Sequence, residues 1–504
     1  MKVNNITGTT FRGPLDGTLT NILRACDTNE MVNAVGLDVG AMVIPRSYYD
    51  TKARNEFAGA ETFFREISGT FINCISAGLF AKIISNIASK FVMKDIKTNP
   101  ASWYSKASLD TLQRVWESKG GNGIRAYAEN MFSHLSGRDG HNINKFNDIN
   151  FDNVEWVDEK VWDKYNWKNA KYKGVQDKLK TKEGFINTFT EFIEDKNVHS
   201  EDKKNFLSIF EKRLTNALGA GRQNMVTIGD KVWETSLWNI LRDTQDMGRD
   251  IFGVNNGANI QGAIKKIKKV NNIKAYGAIT LACLLGLTNQ ALNRKITEKR
   301  TGKKGFVGDM DFTEDNHTNQ KDKHLLLKKL GASALMLGMV VSVMRVKSFK
   351  DFAKKLEFTG PITSGNAIKT VYAANITGRF MAADNSTELR ESMTRDYLGF
   401  LNWLVFGGFA AKGVANLLDR KGKDLFNYTK KGKGLKHWLN DMTIKTHNEV
   451  ASKGKDFIKK NMWKVNAANA SGIAYSAITL GILLPMLNKK VTEHKYKTHK
   501  STEQ

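Results

Sequence analysis

Few residues whose types could do chemistry stand at a spacing that would let them. A Gly-Lys pair occurs in TGKKG from Thr301, without the GxxxxGK[ST] spacing in which successive backbone amides cradle phosphate, so it reads as a basic loop. The clusters KGGNG from Lys119 and GAGR from Gly219 lack the strand, helix and downstream acid of a dinucleotide fingerprint and read as turns. DMDFTEDNHTNQ from Asp309 opens like a calcium loop. Glu314, however, stands where the turn needs glycine, and Gln320 where a bidentate glutamate is needed, which leaves an acidic linker. The histidines form no HExxH pair, and neither a GxSxG elbow nor a papain-like cysteine setting appears. The expectation is a non-enzyme, with no catalytic residue, cofactor or metal site to nominate.

More informative are charges set beside apolar runs. ETFFREISGTFINCISAGLFAKIISN (61–86) aligns without a gap with ESMTRDYLGFLNWLVFGGFAAKGVAN (391–416), an offset of 330 residues. Identical pairs are Glu61/Glu391, Arg65/Arg395, Gly69/Gly399, Gly78/Gly408, Ala81/Ala411, Lys82/Lys412 and Asn86/Asn416, and Glu66/Asp396 is conservative. On a helix, the matched polar positions fall within an arc of about 140°. The candidate contacts between copies are therefore Glu61, Arg65, Lys82 and Asn86 with Glu391, Arg395, Lys412 and Asn416. A two-fold-like pairing would join Glu61 to Arg395 and Glu391 to Arg65, with Gly69 and Gly399 permitting close approach. The local alternative pairs Glu61 with Arg65 at i,i+4.

A second duplicated segment gives these helices their setting. AYGAITLACLL from Ala275 answers AYSAITLGILL from Ala474; their polar exits are LNRKITE and LNKKVTE, and their entries IKKIKKVN and IKKNMWKVN. The chain then reads as an N-terminal, partly flexible segment (1–60), a glycine-rich apolar helix (61–95), a soluble Trp-rich helical insertion (96–263), the first AYxAITL segment (264–300), a charged linker (301–323), and a second repeat (324–504). Seven tryptophans, Trp103, Trp116, Trp156, Trp162, Trp167, Trp233 and Trp238, fall in the insertion and suggest a core of its own. Within it, the run from Phe185 to Leu218 has the period of two amphipathic helices.

With 5 prolines in 504 residues, the expected fold class is mostly α, an internally duplicated, membrane-associated helical protein with an inserted soluble helical subdomain. The apolar runs are rich in Gly, Ala, Ser and Thr, and most are short for a bilayer span. Basic flanks on both sides of each AYxAITL segment conflict with the positive-inside rule, so that segment is expected to dip in and return, bent at Pro485, or to lie in the interface. A net charge of +26, from 77 basic and 51 acidic residues, favours anionic membrane lipids as partners over nucleic acid, for which no groove-reading motif is present. The candidate lipid contacts are Lys265, Lys266, Lys268, Lys269, Arg294, Lys295, Lys430, Lys431, Lys459, Lys460, Lys489 and Lys490. A protein partner could be recruited through the insertion. Cys26, Cys74 and Cys283, far apart, suit a reducing compartment, placing the soluble parts on the cytoplasmic side. The expected role is scaffolding or membrane remodelling; the rivals are a small transporter or channel built on duplicated units, and a soluble basic nucleic-acid binder.

Overall fold

The computed structural model describes residues 14–92, 106–302 and 323–491, less short internal stretches of which the longest are 157–164, 219–225, 254–259 and 357–364. The described chain is mostly helical. Residues 1–13 and most of the charged linker lie outside the described residues. The rest of the N-terminal segment is helical, Pro14–Thr28 followed by a helix over 30–53, and part of it is buried.

Apolar side chains gather in two main places. In the subdomain, the helices Lys106–Glu117, Ile124–His134, Lys182–Glu194, Ser200–Leu218 and Leu237–Met247 enclose an aromatic core. The two amphipathic helices appear where the spacing predicts them, and the Thr181 hydroxyl caps the first by accepting from the Gly184 amide at 3.0 Å. This core is built of phenylalanine more than tryptophan: Phe192 stacks on Phe206 at 3.8 Å between centroids and Phe206 on Phe210 at 4.6 Å. Trp116 joins it by stacking on Phe252, whereas Trp156, Trp167 and Trp238 sit at its edge. Trp103 and Trp162 lie outside the described residues. The subdomain also contains a four-stranded antiparallel sheet, in which Leu135–Asp139 lies between Asn142–Lys145 and Val226–Ile228, and Lys231–Trp233 forms an edge. Ser136 stands opposite Lys145 and Leu135 opposite Ile228. Strands of three to five residues leave too little alternation to be read from sequence.

The subdomain does not end at residue 263. Ile260–Thr301 is one unbroken helix of 42 residues, about 63 Å long. Ile260, Ala263, Ile264, Ile267 and Val270 complete the subdomain core, and Ala275, Ala278, Ile279 and Ala282 belong to the helical bundle beyond it. The first AYxAITL segment therefore neither dips nor returns. The second is equally continuous, within a helix over 455–491 that runs through Pro485. A π turn at Thr479–Leu483 precedes that proline, and there the Leu484 amide bonds the Thr479 carbonyl.

The bundle includes helices over 30–53, 56–92, 260–301, 325–343, 365–382, 386–401, 407–418 and 455–491. Helix 260–301 packs on 77–92 and on 365–382, while helix 455–491 packs on 407–418 and on 30–53. Each AYxAITL helix thus lies between the glycine-rich helix of its own half and the preceding helix of the other. Small residues allow these crossings: a Cβ on Gly378 would meet the Leu287 carbonyl at 2.4 Å, and one on Gly472 the Gly407 carbonyl at 2.8 Å. The aligned helices also share their irregularities. Asn55 and Asn385, 330 residues apart, cap them by accepting from the amides of Ala58 and Glu388. Ile72–Ser76 is a π turn, and Asn402 and Phe406, at the same offset, have the same conformation.

A fragment spanning 106–272 should fold alone, with sharp near-ultraviolet dichroism. One stopping at 259 lacks the five residues that close the core and should give a non-cooperative melt. Equal cooperativity of the two would show that helix 260–301 is not part of that core.

A candidate site in the buried ionic network between the two halves

Each half has a polar helix before its glycine-rich helix, 30–53 in the first and 365–382 in the second, and each hairpins onto the glycine-rich helix that follows. These polar helices present Asp38 and Arg46, and Tyr372 and Arg379, to the bundle interior. Glu66 is the hub of the resulting network. Its carboxylate lies 3.3 Å from Arg65 Nε, 3.4 Å from Arg379 Nη2, 3.5 Å from Arg46 Nη1 and 4.0 Å from Arg395 Nε. Asp396, the residue aligned with Glu66, lies 3.1 Å from Arg379 Nη1 and 3.2 Å from Arg395 Nε. The Thr70 hydroxyl donates to Asp38 at 3.2 Å. Even the most open of these side chains, Arg395, is only 13% exposed.

The two halves repeat several contacts around this network. Asn293 donates to the Glu61 carbonyl at 3.2 Å, and Asn488, in the matching exit motif, donates to the Glu391 carbonyl at 3.1 Å. Arg294 reaches the Ala382 carbonyl and pairs with Asp384 and Glu388; Lys489 donates to the Ala53 carbonyl at 2.6 Å. A Cβ on Gly69 would lie 3.0 Å from Arg379 Nη2, and one on Gly399 would lie 4.0 Å from Arg46 Nη2. Arg46 is held by donating from Nε to the Leu480 carbonyl at 2.8 Å. That carbonyl is in the π turn five residues before Pro485, which has no N–H to offer it.

Two adjoining hollows share Arg46 and Arg395. One lies toward the Arg54 turn, lined by Glu61, Glu391 and Pro485 among others; the deeper one is lined by Asp38, Asn73, Tyr372, Arg379, Asp396 and Gly399. Arg46 Nη2, Arg379 Nε, Asp396 Oδ2 and Asn375 Oδ1 are buried without a hydrogen-bond partner in the protein.

Of the eight polar residues singled out in the sequence, Glu61, Arg65, Glu391 and Arg395 turn inward, but not in the expected pairs. Glu61 accepts from Gln290 at 3.3 Å, and Glu391 pairs with Arg54 at 2.9 Å. Between the aligned segments the contact is made one residue further on, by Glu66 with Arg395, and Glu66 also pairs with Arg379. Lys82, Asn86 and Asn416 are exposed, whereas Lys412 is buried, donates to the Trp438 and Leu439 carbonyls, and lies 4.8 Å over the Trp438 ring. Among the expected lipid contacts, Lys265, Lys269, Lys295, Lys459, Lys460 and Lys490 are exposed, although Lys460 pairs with Asp424. Lys266 and Lys268 are half-buried, Lys268 on Asp110. Arg294 and Lys489 are corrected: Arg294 is buried on carboxylates, and the half-buried Lys489 is engaged by a backbone carbonyl. Lys430 and Lys431 lie outside the described residues. The reading from sequence missed Asp38, Arg46 and Arg379; the conservative Glu66/Asp396 pair was the available signal.

Among the described residues, no group of three or more His, Cys, Asp or Glu could hold a metal ion, and Cys26, Cys74 and Cys283 are free thiols. Comparison with protein-family models, curated proteins and solved structures finds no match to the chain.

The two glycines should respond unequally. Gly69→Ala forces a methyl onto Arg379 and should destabilise by about 1–3 kcal/mol. Gly399→Ala meets only ordinary contact and gains helix propensity, so it should be neutral or stabilising by up to about 1 kcal/mol. Thermal unfolding in detergent separates the two, and equal effects would contradict the asymmetry. In double-mutant cycles, Arg54 with Glu391 should couple by about 1–3 kcal/mol, while Glu61 with Arg395 should be nearly additive. The reverse order would restore the pairing expected from the sequence.

Proposed function

We propose that this chain is an integral membrane protein made by duplication of a three-helix unit, and that the polar interior where the copies meet is a passage or carrier site for a small charged solute. Four helices, Glu56–Ala88, Ile260–Thr301, Leu325–Val343 and Asp456–Val491, are long and apolar enough to cross a bilayer. They expose large apolar side chains, among them Phe64, Phe71, Leu284, Leu335 and Ile482. Duplication is supported by the shared caps, π turns and Asn293/Asn488 contacts at matched positions. The turn at 54–55 meets the exit of the second AYxAITL helix and the turn at 383–385 that of the first, so the units run in the same direction. This is the arrangement of parallel repeats about an axis along the bundle.

The observation that carries the transport reading is the Glu66 network itself. Ionised groups inside an apolar ring cost several kcal/mol to desolvate, and membrane proteins hold them chiefly where ions, protons or solutes pass. A scaffold would gain from them only a fixed geometry of its helices. The subdomain and the small Phe426–Tyr428/Met442–Ile444 hairpin each follow a glycine-rich helix and so lie at one end of the bundle, the cytoplasmic end in this reading. Exposed lysines at the subdomain end of helix 260–301, Lys265 and Lys269, would add about 1 kcal/mol each on an anionic leaflet.

The chain should stay in the membrane pellet through alkaline carbonate and leave it only in detergent; release by carbonate would overturn membrane integration. Reconstituted vesicles should gain an ionic permeability that protein-free vesicles lack. Integration without permeability to either sign of ion would favour the scaffolding role instead.

A further inference from the structure

We infer that Asp38 is a proton-binding site and that the proton is the charged solute the polar interior takes up. The inference deepens the transport reading and rests on it. The deeper hollow is lined by three guanidiniums, Arg46, Arg379 and Arg395, and by three carboxylates, Asp38, Glu66 and Asp396. The carboxylates are not equivalent. Glu66 lies within 4.0 Å of four arginines and Asp396 within 3.2 Å of two, so protonating either would strand guanidiniums in the interior. Asp38 is buried as they are, yet among the described residues it forms no ion pair. Its partner is the neutral Thr70 hydroxyl, 3.2 Å away.

That hydroxyl serves both charge states. Thr70 Oγ1 lies 3.2 Å from Asp38 Oδ2 and 3.0 Å from the Glu66 carbonyl, and its one hydrogen goes to one acceptor at a time. With Asp38 ionised, the hydroxyl donates to the carboxylate. With Asp38 protonated, the acid O–H donates to Thr70 Oγ1 and the hydroxyl hydrogen turns to the Glu66 carbonyl. The surroundings pull in opposite directions: burial and Glu66 favour the acid, whereas Arg46, on the same helix, and Arg379 favour the carboxylate. Cys74 and Tyr372 face Asp38 as neutral groups, and Asp396 offsets Arg395. A metal cation would meet guanidiniums of its own sign, an inorganic anion would meet three carboxylates, and the hollow has room for about one water molecule. A proton needs no such room. In the step, a hydronium ion loses one O–H bond and becomes water, and Asp38 Oδ2 gains one. Helix 365–382 has no acidic residue, so the second half supplies no counterpart and the site takes one proton per chain.

The test uses the full chain, purified in detergent and then reconstituted. Infrared difference spectra between acid and alkaline pH should contain, among the protonated-carboxyl bands, one that Asp38→Asn removes, since asparagine is isosteric and bonds Thr70 in either direction but takes no proton. Thr70→Val removes the donor to the carboxylate and should shift the titration of that band to higher pH, and Thr70→Ser should restore it. In vesicles under a potassium diffusion potential, the internal pH should follow the potential with the unmodified chain and not with Asp38→Asn. If Asp38→Asn misfolds, the Thr70 variants still decide: carboxyl bands that titrate identically in Thr70→Val and Thr70→Ser would overturn the site. A band from Asp38 without flux of any ion would support the proton site and overturn transport. Sodium or chloride flux without that band would overturn the proton inference and keep transport, and absence of both would overturn the two together.

Discussion

Charge in the interior must be answered by charge in the interior, and most of the bundle's geometry follows from that requirement around Glu66. Four guanidiniums converge on one glutamate and its aligned aspartate. Removing either partner of such a cluster leaves an uncompensated ion, a change that costs about 3–5 kcal/mol in comparable buried pairs. The long arginine side chains need room beside a helix backbone, and Gly69 and Gly399 supply it on the two facing helices. The polar helices 30–53 and 365–382 then turn Asp38, Arg46, Tyr372 and Arg379 toward that cluster.

Breaks in helical regularity fall around the same place. π turns at 38–43, 72–76 and 479–483 border the network, and each changes which carbonyls remain available for side chains. Pro485 is the clearest case. Read from sequence it marks a bend, but the helix continues through it, and the carbonyl it cannot satisfy holds Arg46 in place. A residue that breaks a hydrogen bond in one element here supplies an acceptor to another.

The sequence carried the helical class, the two amphipathic helices of the subdomain and the matched segments, because each rests on periodicity or on identities over a continuous run. The network was only half legible. Arg65 and Arg395 stood in the aligned segments, but Arg46 and Arg379 are in helices with weak apolar patterning and are not at matched positions, so nothing in the alignment led to them. Arg294 looked like a headgroup cation because it follows an apolar run; Glu388, which turns it inward, is 94 residues away. The 263/264 boundary failed for a related reason. A composition shift marks where the environment changes, and one helix can pass from one environment to another without ending.

That helix is also a mechanical element. The helices over 56–92 and 455–491 are interrupted by π turns, whereas 260–301 has a continuous ladder from the subdomain core to Gln290 and Asn293, which bond Glu61. A stiff rod about 63 Å long turns a tilt of about one degree at one end into a displacement of about 1 Å at the other. Load applied to the subdomain is therefore delivered, undamped by any joint along the rod, to the rim of the arginine cluster.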